Sequence, residues 1–128
     1  MAGQPIADEE IILRHIPGGT TFQAPGPRIT SKNFELRFQE TGISVSRQSI
    51  TSAEQLLKNL GNAATGSRIA AVSVAAIRLL GLDVVPDPTA DDAGHAELRS
   101  PTDVGFSLSI RKQLATAFVL LAERPSGN

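Results

Sequence analysis

RIAAVSVAAIRLLGLDVVPDP, residues 68–88, is the centre of the chain, because it holds the longest nearly apolar run and the clearest punctuation. It reads as a short strand over 68–72, a short helix opened by Ser73 and closed by Gly81, and a second strand over 82–85 ended by Pro86-Asp87-Pro88. A serine at the helix start accepts a hydrogen bond from an orphan amide of the first turn, and a glycine past its end takes the left-handed conformation at little cost. Leu82, Val84 and Val85 offer β-favouring side chains to both faces, as a strand covered on two sides requires. A competing reading makes one helix of residues 67–80, since Ile69, Val72, Ala76 and Leu79 recur at helical spacing. Neither reading spans a membrane: Arg78 and Asp83 break the run, and roughly 18 or more uninterrupted apolar residues are needed.

The composition sets bounds around this centre. The length of 128 residues suits one domain able to bury a core without staples. With no Cys there is no disulfide framework, thiolate metal site or cysteine nucleophile, which fits a reducing compartment. The opening MAGQPIADEE shows no basic region followed by an apolar segment, so a cytoplasmic location is expected. A formal net charge of -1 lacks the basic footprint of a nucleic-acid binder, and with neither Trp nor Tyr the platforms on which bases stack are scarce. Neither nucleic acid nor a membrane is therefore an expected partner. No period of about 20–50 residues repeats, which argues against a solenoid.

Taken in order, residues 1–9 carry small and polar side chains and are expected to form a flexible tail, with a single globular domain over 10–123 and a second flexible tail over 124–128. Residues 11–16, IILRHI, read as a strand stopped by Pro17-Gly18-Gly19, and 18–27 as a Gly- and Pro-rich loop. Phe34, Leu36 and Phe38 alternate with polar residues, as do Ile43 and Val45, so a hairpin near 34–47 is expected with its turn at Glu40-Thr41-Gly42. Thr51 and Ser52 precede Glu54 and Gln55 as capping boxes of a short surface helix whose inner face is Leu56, Leu57 and Leu60 and which Gly61 ends. Residues 62–67 and the acidic TADDAG are loops, and 95–99 a short strand. Together these imply an α+β fold: a small mixed or antiparallel sheet packed against about three helices.

The C-terminal element is ambiguous. Val104, Phe106, Leu108 and Ile110 alternate like a strand, whereas Ile110, Leu114, Ala117, Phe118 and Leu121 repeat like a helix. The good helix formers favour a helix from about 107 to 122, ended at Arg124-Pro125. Its end, AFVLLA, is apolar on every side and needs cover all round. The sheet and the central helix are one source of cover; a protein partner or a homo-oligomer, with Phe118, Leu120 and Leu121 at the interface, is the other.

Candidate chemistry is sparse. Asp87, Asp91 and Asp92, with His95 and Glu97 close behind, are potential ligand-binding groups whose oxygen and imidazole donors suit divalent cations. Their spacing is not that of an EF-hand, and a solvated turn whose aspartates bond their own backbone explains them without a metal. No metal or other cofactor is expected. Arg14, His15 and His95 are candidates for an acid/base or anion-binding group, since His titrates near neutrality and Arg forks onto carboxylates and phosphates. Against this, the chain has no GxSxG elbow and no phosphate loop, and two histidines are equally at home as strand residues.

From Gly81 onward, GLDVVPDP, an acidic spacer and GHAEL resemble a widespread group of small uncharacterised bacterial proteins with a GL-V-DP…HA pattern before a C-terminal helix. ITSKNFEL and GISVSR are similar to that group's Ser-Ser-x-x-Phe and Leu-Ser-Val segments, so the match covers about half of the chain. The resemblance implies a fold and a cytoplasmic origin and brings no catalytic residue with it. The leading functional expectation is a small interaction or accessory module, a subunit acting with a larger protein encoded beside it. The alternative is a small enzyme or ligand-binding domain using the His/Arg/Asp cluster.

Overall fold

The computed structural model describes residues 6–16, 29–36, 42–60, 68–101 and 106–121. In chain order the elements are β1 (Ile11–Ile16), a 3-10 turn (Ser31–Phe34), β2 (Ile43–Arg47), α1 (Ala53–Leu60), β3 (Arg68–Ser73), α2 (Val74–Leu79), β4 (Asp83–Pro86), β5 (His95–Arg99), α3 (Leu108–Ala117) and β6 (Val119–Leu120). The decisive stretch is strand, helix, strand. The Ser73 hydroxyl accepts from the Ala76 N–H at 3.1 Å, and Gly81 closes the helix at φ +82°. The single-helix alternative fails because β3 pairs with β1 along its whole length, from Ile11 opposite Ser73 to Ile16 opposite Arg68, and with β6 on its other side. Tertiary pairing of β3 thus overrides the helical spacing of its apolar residues.

The strands form one six-stranded antiparallel sheet in the order β4-β5-β2-β1-β3-β6. Side chains alternate across it, so each strand contributes to two faces. One face is the core: Ile12 and Ile16, Ile43 and Val45, Ala70 and Val72, Val84, Ala96 and Leu98 are buried there against Ile77 of α2, Leu114 of α3 and Phe34. The opposite face carries Leu13, His15, Ser44, Ser46, Ile69, His95 and Glu97. The fold is α+β, as expected.

Three local expectations are corrected. The first arm of the hairpin near 34–47 is not a strand at its described residues, where Ser31–Phe34 is a 3-10 turn. Thr30 and Asn33 stabilise it: the Asn33 N–H donates to the Thr30 carbonyl at 3.0 Å, and the Thr30 N–H to the Asn33 side-chain oxygen at 2.8 Å. Phe34 is thereby directed into the core, where its ring centroid lies 5.0 Å from that of Phe118. The second arm is β2, which pairs with β5 along Ile43–Ser46 and with β1 at Ser46 and Arg47. Phe38 and the expected turn residues Glu40 and Thr41 lie outside the described residues, as do the loops expected at 18–27 and 62–67, Gly61, Val104 and the tail 124–128.

The C-terminal helix ends at Ala117 rather than near 122, and residues 119–120 pair with β3 instead. Ser107 caps its start by accepting from the Ile110 N–H. Phe118 at its C-cap is extended, at φ -70° and ψ 141°, which turns the ring into the core and the chain onto the sheet. The apolar run therefore alternates between the faces of an edge strand, and the need for cover around a helix disappears.

Residues 6–9, expected within a flexible tail, are docked. Ile6 is 1% exposed, the Val74 N–H donates to the Glu10 carbonyl at 2.9 Å, and the Ala75 N–H to the Asp8 carbonyl at 3.0 Å. Arg78 ties the segment down through Asp8, the Ile6 carbonyl and Asp83. The segment caps the first turn of α2, whose leading amides have no partner inside the helix. Residues 1–5 lie outside the described part.

Candidate functional site

The return from β4 to β5 brings Asp87 and His95 opposite one another. The Asp87 N–H donates to the His95 carbonyl at 2.9 Å, extending the strand ladder by one pair. The His95 Nδ1 lies 2.8 Å from the Asp87 carbonyl and 3.2 Å from its carboxylate Oδ2. A carbonyl oxygen only accepts, so Nδ1 carries the proton and, in the neutral ring, Nε2 is the acceptor.

Asp92 does different work. Within the turn Thr89 to Asp92 its N–H meets the Thr89 hydroxyl at 3.0 Å. Its carboxylate accepts from the Ser46 hydroxyl at 2.5 Å, the Thr51 hydroxyl at 2.5 Å and the Gly94 N–H at 3.0 Å. The loop is thus pinned to β2 and to the approach to α1. Gly94 is required by this closeness, since a Cβ there would stand 2.6 Å from the Thr51 hydroxyl. The Asp91 side chain is exposed, and its carbonyl accepts from the Asn59 side chain at 3.3 Å.

Arg14 and His15, adjacent in sequence, point to opposite faces. Arg14 is on the core side, donating to the Asn33 carbonyl at 3.1 and 2.7 Å and to the Ser44 carbonyl at 2.7 Å, with its guanidinium carbon 5.9 Å from the Phe34 ring centroid. It braces the 3-10 turn against β2. His15 is on the other face, and its buried Nε2 has no hydrogen-bond partner among the described residues. Burial, followed by the charge of Arg14, holds its pKa below the ordinary histidine value.

The expected cluster is accordingly divided. Asp87 and His95 meet; Asp92 is committed to Ser46, Thr51 and Gly94; Arg14 faces away. The strand β2 stands between His15 and His95, and in register His95 aligns through Ser46 with Leu13, two residues from His15. Ser46, the cross-strand neighbour of His95, is 3% exposed and donates to Asp92, so it is not a hydroxyl that His95 activates. Among the described residues no group of three or more His, Asp and Glu is placed to hold a metal ion.

The residues expected at an interface are distributed over the end of the sheet. Phe118 is in the core, Leu120 is half-buried opposite Ala70, and the half-buried Leu121 donates its N–H to the Ile69 carbonyl at 2.8 Å. Val119, which sequence reasoning missed, is 64% exposed. No local signal marked it, because its exposure depends on the helix ending before it.

The two sheet edges differ in their backbone groups. On β4 the inward Asp87 N–H sets the alternation, so Val84 and Pro86 turn outward. Pro86 has no N–H, and the Val84 N–H is bonded to the Asp83 carboxylate at 2.8 Å, so neither offers a donor to an added strand. On β6 the inward Leu121 N–H turns the Leu120 peptide groups outward, and no described strand lies beyond them. No helix among the described residues is long and apolar enough to cross a membrane. No family model, curated protein or solved structure matches the chain.

Proposed function

We propose that the chain is a small interaction or accessory module whose protein partner pairs with the sheet at β6. The observation that carries this reading is the contrast of the edges: β4 is guarded by proline and a carboxylate, whereas β6 presents the outward peptide of Leu120 and the exposed Val119. The partner is a larger cytoplasmic protein, in keeping with the resemblance of residues 81–98 to the bacterial group. The test is affinity purification of the tagged chain from its host with measurement of the native mass, repeated with Leu120→Pro. Proline removes an outward donor without touching the bonds from Val119 and Leu121 to β3. One stoichiometric partner, held by the natural chain and lost by a Leu120→Pro chain that still melts cooperatively, is the expected result. A lone monomer, or a partner held equally by both chains, overturns the reading; a doubled mass without another protein replaces the partner with a second copy.

A second reading, a small ligand-binding domain or enzyme, is favoured by the Asp87–His95 contact, which leaves Nε2 of the neutral ring as an acceptor. It expects the His95 ring nitrogen signals to shift when small anions or divalent cations are added, with the His15 signals unmoved. Unchanged His95 signals across such a screen remove it.

A further inference from the structure

We draw no further inference here: the strongest candidate, the cluster of Asp87, His95, Ser46 and Asp92 where the β4–β5 loop meets β2, belongs to the site already described, and its hydroxyl and second carboxylate are bonded to each other.

Discussion

The two faces of the sheet are held by different physics. On the core face, apolar side chains from five strands pack against Phe34, Ile77, Leu114 and Phe118, and the stabilisation is spread over many non-directional contacts. On the opposite face the burial of Leu13 and Ile69 is accompanied by directed bonds: Asp92 gathers Ser46, Thr51 and Gly94, while the ring of His15 keeps a nitrogen without a partner among the described residues. A contact on the first face can be weakened by degrees. Removing one acceptor on the second leaves several donors stranded at once, so its loss is local and abrupt.

The largest expected effect comes from placing the chemistry of one face on the other. Val84 is buried in β4 as part of the hydrophobic core, and Val84→Asp puts a carboxylate into that core, so cooperative folding should be lost. Circular dichroism during heating reads this directly. A soluble Val84→Asp chain with a sharp melt would show that the core face tolerates charge and would erase the contrast.

Asp92→Ala tests the opposite face. The buried Ser46 and Thr51 hydroxyls lose their acceptor, and a buried unsatisfied group costs about 1–3 kcal/mol. Urea denaturation should therefore show a lower midpoint with an unchanged slope, because the fold remains and one docking point is lost. An unaltered midpoint would mean that the loop is positioned by its backbone turn alone.

The smallest effect is expected from protons, and it separates the faces by pH. His15 titrates below its ordinary value of 6.5 in the folded chain, chiefly because burial disfavours its charged form. The unfolded chain then binds the proton more readily, so stability is full above about pH 6.5 and declines as the pH falls towards the folded value. Glu10 has its pKa lowered, first by the hydrogen bond from Arg47, so its contribution is present above the unfolded value of 4.5 and disappears only at more acidic pH. Denaturation midpoints followed from pH 7.5 to 5.5 should fall for the natural chain and stay flatter for His15→Gln, while Glu10→Gln should retain the decline. Equal slopes for the natural and His15→Gln chains would assign the acid sensitivity elsewhere.

How much of this was legible depends on the range of the interactions. Ser73 and Gly81 bracket α2 because capping and a left-handed turn act within four residues of the chain. The strands at 11–16 and 95–99 were legible from short runs with clear stops. The alternation of Phe34 and Leu36 misled because period two is equally compatible with a turn that drives one aromatic inward, and because β2 found distant neighbours on both edges. The apolar AFVLLA misled for a related reason: a helix buried all round and a strand on a sheet edge need the same residues. In the candidate site, the acidic loop was visible, but its division of labour was not. Asp87 reaches a histidine eight residues away, whereas Asp92 reaches Ser46 and Thr51 across more than forty.

The α+β class, the two ends of α2 at Ser73 and Gly81 and the absence of thiol chemistry follow from composition, capping and periodicity, which need no partner distant in the chain. That 68–73 is a strand, that β1 lies between β2 and β3, that residues 6–10 close the start of α2, that Arg14 and His15 are parted by the sheet, and that 119–120 end as its edge emerge only in the folded chain. Those outcomes follow from hydrogen bonds and burial between residues distant in the chain, whose free energy exists only once the partners have met.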